Sequence, residues 1–181
     1  MASLIERAIG AAKLDVKTFE EVEADTTATG QAMTVVVAAS VAAGIGSATG
    51  GIAALLVGAL GALLGWFIWA LLTYVIGAKL LPEPQTQADL GQLLRTIGFA
   101  AAPGVLRVLG VIPFVGWVIV LVAAVWQLIA MVVAVRQALD YQSTGRAVGV
   151  CLIGFVIYVV IGVALTALLL AGGAVSSGLQ E

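Results

Sequence analysis

Residues 89–146 read DLGQLLRTIGFAAAPGVLRVLGVIPFVGWVIVLVAAVWQLIAMVVAVRQALDYQSTGR. An apolar segment is broken at Pro103-Gly104, a second proline follows at position 113, and a long apolar run then ends at Arg136 before a short polar loop. Pro103 lacks an amide proton and frees the carbonyl of Phe99, so the pattern predicts a helix from Gln87 to about Ala101 and then a break. At membrane depth the freed carbonyl needs neighbouring protein or water, which places this segment against other helices rather than alone in lipid.

The rest of the chain surrounds that pair with more of the same. Of 181 residues 62% are hydrophobic and 10% charged, with a mean hydropathy of +1.16, a composition that no water-soluble core of this size can bury. Lipid is therefore the solvent, and the fold class is an all-α, polytopic integral membrane protein. Its five-helix transmembrane bundle carries an N-terminal amphipathic helix. Residues 1–30 form a leader, residues 31–175 a membrane domain with spans at about 32–48, 52–77, 87–110, 114–136 and 147–171, and residues 176–181 an outer tail. The shortest span is the first. Cys151, the lone cysteine, permits no intramolecular disulfide and reads as a small packing residue. The net charge of -2 says nothing about nucleic acid, and none is expected as a partner.

Within the leader, Ile5, Ala8, Ile9, Ala12 and Val16 fall on one helical face, opposite Glu6, Gly10, Lys13 and Lys17. Such a helix lies among lipid headgroups or packs on its own bundle. Thr18 to Glu21 fits a capping box, predicting a new helix from Phe19 that runs on into the first span, with Glu20, Glu21, Glu23 and Asp25 solvated at its start. Small residues recur every fourth position as Ala42, Gly46 and Gly50 in the first span, and as Ala54, Gly58 and Ala62 in the second, beside Gly61 and Gly65. That spacing lets helix backbones approach closely in lipid. Trp66 and Trp69 lie near mid-span and read as packing groups.

Four polar residues are candidate lipid or partner contacts. Arg95, two turns into the third span, is placed to snorkel back to the headgroups. Gln127 sits mid-span, where its amide needs a partner in the bundle or in another subunit. Arg136 and Arg146 bracket the loop after the fourth span and, with Asp140, form its cap. With the N-terminus cytoplasmic and the C-terminus outside, Arg107 is the one basic residue on the outer side, a strong positive-inside bias.

Several stretches also resemble the prokaryotic branch of the Yip1 family. They are KTFEEVEAD at 17–25, AAAPGVLRVLGVIPFVGW at 100–117, VWQL at 125–128 and VAVRQALDYQSTGRAV at 133–148. The resemblance implies five membrane helices, a cytoplasmic N-terminal segment, a short outer tail, and residence in a prokaryotic cytoplasmic membrane. The Asp-Leu-Tyr-Gly-Pro motif of eukaryotic members is absent, so their GTPase and vesicle-budding partners are not implied.

The chain contains no histidine, which excludes HExxH metalloprotease and Ser-His chemistry. Paired intramembrane aspartates, an Asp-rich magnesium motif and a P-loop are missing too, and no acidic residue falls inside a predicted span beyond Asp89 at the very start of the third. No catalytic residue, cofactor or metal is expected. The reading that follows is a non-enzymatic scaffold, assembly factor or accessory subunit. Its expected partners are membrane lipids and other membrane protein subunits or further copies of itself. The alternative is a small-molecule channel or transporter lined by the Pro103-Gly104 break and Gln127. A shared water-filled cavity at those positions favours transport, and tight packing favours the scaffold.

Overall fold

Ser3 opens the first helix, α1 (Leu4–Ala12), through a reciprocal capping box with Glu6. Leu14, in the left-handed region at φ 62°, turns the chain into α2 (Val16–Ala24). The cap of α2 is Asp15 rather than the expected Thr18. The Asp15 carboxylate accepts from the Lys17 amide and from the Thr18 hydroxyl, and an ionised oxygen is the stronger acceptor beside the positive end of a helix.

Nor does α2 continue into the first span. Asp25 is extended, and its carboxylate takes both the amide and the hydroxyl of Thr27, nucleating a 3₁₀ turn (Thr26–Ala28) before α3 (Thr29–Gly46) begins. Local side-chain bonds of this kind compete directly with the helix ladder.

The computed structural model describes residues 2–47 and 51–178, and among these there is no strand. Four further helices follow α3. They are α4 (Ile52–Thr73), which ends in a π-helical stretch (Tyr74–Leu80); α5 (Leu90–Phe99), capped by Asp89 and Gln92; α6 (Gly116–Ala138); and α7 (Thr144–Gly178). Between α5 and α6 the chain adopts a 3₁₀ segment (Ala102–Val111). Helix α5 stops four residues short of Pro103, where the missing amide ends its ladder. The cap lies at Asp89, while the Thr86 hydroxyl is turned toward the Leu139 carbonyl.

Five segments are long and apolar enough to cross a membrane: Thr26–Gly46, Ile52–Leu80, Leu90–Val111, Gly116–Ala138 and Thr144–Ala164. The protein is a polytopic helical bundle. Half of the third segment is buried inside the bundle against 6% of the second, so the proline-broken element is the central strut. One core joins α1 and α2 to this strut through Phe19, Val22, Ala32, Val35 and Phe99. A second, built on Ile76, Leu93, Ile97, Leu139 and Val150, ties in α4, α6 and α7. Leu56, Leu60 and Leu64 of α4, with Leu152, Val156 and Val160 of α7, point outward. In lipid such faces cost nothing, and dispersion and close packing must hold the helices together.

Close packing falls partly where the small residues were expected. A methyl at Gly46 would overlap the Arg107 carbonyl oxygen, so α3 meets the backbone of the 3₁₀ segment there rather than α4. At Gly58 a methyl would meet Ser40 Oγ at 3.8 Å, and at Gly65 the Tyr158 hydroxyl at 3.0 Å. Gly61 has nothing within 4 Å, and the expected role for it in helix packing does not hold. Gly50 and the start of its turn lie outside the described residues, as do residues 179–181 of the tail.

Candidate functional site

Two polar centres interrupt the apolar bundle. The first caps one end. Arg7 projects from the face of α1 that packs inward and is 2% exposed. Its guanidinium binds Glu21 at 2.8 Å, Asp25 at 2.7 Å and the Gln31 side-chain oxygen at 3.1 Å. Of the two expected placements, the apolar face of α1 does not pack on the bundle, since Ile5 and Ile9 are exposed while Arg7 and Ala11 are buried. Part of the acidic run expected to be solvated is consumed by this pairing. Hydrogen bonds from Thr27 and then Arg7 pull the Asp25 carboxyl down to about 2.

Arg95 does not snorkel. It is 5% exposed, and its Nε donates to the Val22 carbonyl at 3.0 Å while Nη2 donates to the Glu23 carbonyl, sealing the end of α2. A cation at a helix C-terminus also complements the dipole there. The neighbouring Glu23 carboxyl is pushed up to about 7, first by burial and then by the Asp140 charge, with Arg95 opposing.

Arg136 and Arg146 hold the connectors at this end. Arg136 donates from Nε to the Tyr141 carbonyl and from Nη2 to the Gln142 carbonyl, both at 3.1 Å. Arg146 lies 3.5 Å from Glu83, whose carboxylate also accepts the Gln142 amide at 3.0 Å. That amide, the main cause, holds the Glu83 carboxyl below its ordinary value. The Tyr141 hydroxyl reaches the Gly77 and Leu81 carbonyls at 3.0 and 2.7 Å, serving the loosened π-helical stretch.

The second centre lies inside the bundle. Arg107 reaches inward from the 3₁₀ segment, and its Nη2 donates to Gln127 Oε1 on α6 at 2.8 Å. Both line a cavity of about 370 Å³ with Ser40, Trp69 and Tyr158. A larger space of about 790 Å³ adjoins it toward the end of α3 and the starts of α4 and α6, and Arg107 and Ser40 border both. Pro103 and Gly104 are buried, and a methyl at Gly104 would come within 2.8 Å of Gln127 Oε1 and 3.2 Å of Ala39 Cβ.

At the break Gly104 therefore meets packed protein and Pro103 borders a separate apolar hollow against α1 and α3, while Gln127 faces the polar cavity. Sequence reasoning counted Arg107 only as a basic residue on the outer side of the membrane and missed its contact with Gln127. A legible signal was the fold-back at Pro113. From Val111 to Arg107 a 3₁₀ rise covers about 8 Å, the long side chain adds reach, and Gln127 lies about 16 Å along α6 from Gly116.

Capping, helix-to-helix bonding and one polar interior pair account for these side chains, which defines an integral membrane protein built on helix packing. The Yip1 domain profile matches residues 16–164, and the chain belongs to the Yip1 family. No curated protein and no solved structure matches it significantly.

Proposed function

We propose that this chain, a member of the prokaryotic branch, works without chemistry as a scaffold, assembly factor or accessory subunit for other membrane proteins, and in organising lipid around them. One observation carries the reading. The Pro103-Gly104 break, the feature best suited to line a transport path, is buried against Ala39 and Gln127. The polar groups at the capped end are engaged with one another, and the outward faces of α4 and α7 offer long apolar surfaces for lateral association. The absence of the Asp-Leu-Tyr-Gly-Pro motif supports the branch.

The end that gathers Arg7, Arg95, Arg136 and Arg146 is assigned to the cytoplasm of a prokaryotic inner membrane, with the N-terminus there and the C-terminus outside. A channel or transporter is the second reading, favoured by the cavity that Arg107 and Gln127 share.

Purification of the tagged protein at native expression into nanodiscs, followed by mass spectrometry, tests the choice. A stoichiometric membrane-protein partner is expected. Recovery as a homo-oligomer carrying only lipid or a small molecule would overturn the scaffold in favour of transport or lipid handling.

A further inference from the structure

We infer that the paired cavities between α3, α4, the 3₁₀ segment and α6 form a site for a phosphate-bearing anion, held by Arg107 and delivered as the headgroup of a membrane phospholipid.

The inner cavity has donors in excess of acceptors. Arg107 carries a fixed positive charge, yet among the described residues its one side-chain partner is the neutral oxygen of Gln127 and no carboxylate there pairs with it. Gln127 gives that oxygen to the guanidinium, and among the described residues its amide nitrogen makes no hydrogen bond to protein. The Trp69 indole N–H is buried with no acceptor, and Trp69 lines the same cavity. Ser40 adds a hydroxyl on the wall that both cavities share.

A cation inside a membrane domain is costly unless it is paired, and the arginines at the capped end follow that rule. Arg7 has two carboxylates and Arg95 has two carbonyls. Arg107 alone among these three faces open volume. The complement to such a set is acceptor-rich and negative, and a phosphate matches the planar fork of a guanidinium.

The outer cavity says which phosphate. Beyond Arg107 its walls are mostly apolar or small, including Gly58, Leu55, Trp117 and Val120. A free ion gains nothing from those walls, whereas the glycerol and first methylenes of a phospholipid do. Its lining comes from the last turns of α3 and the first turns of α4 and α6, so a headgroup entering at that end leaves its chains among the lipids.

The test titrates detergent-purified full-length protein with dioleoylphosphatidylglycerol, with dioleoylglycerol and with inorganic phosphate, and reads bound mass by native mass spectrometry. Phosphatidylglycerol is expected to bind one per chain and dioleoylglycerol not to bind, with Arg107→Gln weakening the lipid at least tenfold and Arg107→Lys less. Equal retention of both lipids, or an unchanged titration in Arg107→Gln, overturns the site. Arginine-dependent binding of inorganic phosphate with phosphatidylglycerol inert upholds an anion site and overturns its lipid source.

If Arg107→Gln does not fold, Ala43→Phe decides. Ala43 lines both cavities, so this change blocks their junction and keeps the charge. Loss of the lipid upholds the site, and retention overturns it. The site does not depend on the scaffold reading, because a variant that loses lipid and keeps its protein partner separates the two.

Discussion

Burying an arginine in so apolar a chain is tolerable only where its hydrogen bonds are met, and Arg7 shows what that demands. Glu21, Asp25 and Gln31 surround one guanidinium in a fork that an ammonium cannot reproduce. Arg7→Met is expected to cost about 2–3 kcal/mol, between an exposed pair and a buried one, and Arg7→Lys to recover less than half, measured by thermal melting in dodecyl maltoside.

Glu23 behaves oppositely with pH. Its carboxyl rises from an ordinary 4.5 to about 7 in the folded protein, so the folded state holds the proton more tightly. Stabilisation is complete below pH 4.5 and is lost as pH climbs through about 7. Melting between pH 5 and 8 should show a loss of about 1–2 kcal/mol, discounted for partial exposure, and Glu23→Gln should abolish that slope. Neither role was legible locally. The carbonyls that Arg95 seals lie 72 and 73 residues upstream, and a helical wheel shows where Arg7 points without showing what waits there.

Helix boundaries were more readable than contacts. Pro103 announces the end of α5 because a missing amide acts through its own chain, whatever packs nearby. Glycine spacing is weaker evidence, since a small residue permits close approach without requiring it. Gly46 and Gly61 separate the two cases. Gly46→Ala would drive a methyl into the Arg107 carbonyl and should cost about 1–3 kcal/mol as an overpacked contact. Gly61→Ala meets open space and should be neutral or stabilise by about 0.5–1 kcal/mol through helix propensity. Comparable losses in the two variants, by melting in the same detergent, would contradict this packing. The Asp15 cap was missed because Thr18 offered a complete capping pattern three residues later, and the choice between them turns on the Leu14 bend.

The bundle as a whole has one capped end and one end where the proline turn carries Phe114 at 95% exposure. Composition made the class plain, and the family follows from a match spanning most of the chain. The Arg107 cavity was hidden because it needs every helix from α3 to α7 and the 3₁₀ segment together. Orientation is open to a direct test in the Cys151→Ser background. Phe114→Cys should react in intact cells with a membrane-impermeant maleimide, and Thr27→Cys should react only after the membrane is opened. The reverse pattern would invert the assigned topology.

The Trp126 indole donates to the Ala12 carbonyl at 2.7 Å, joining α6 to the end of α1. The two partners lie 114 residues apart, so this bond closes only after α6 is made, later than the Arg7 contacts to Glu21, Asp25 and Gln31. A nascent chain halted before α6 would hold α1 through Arg7 and leave the Ala12 end unlatched until the fourth span arrives.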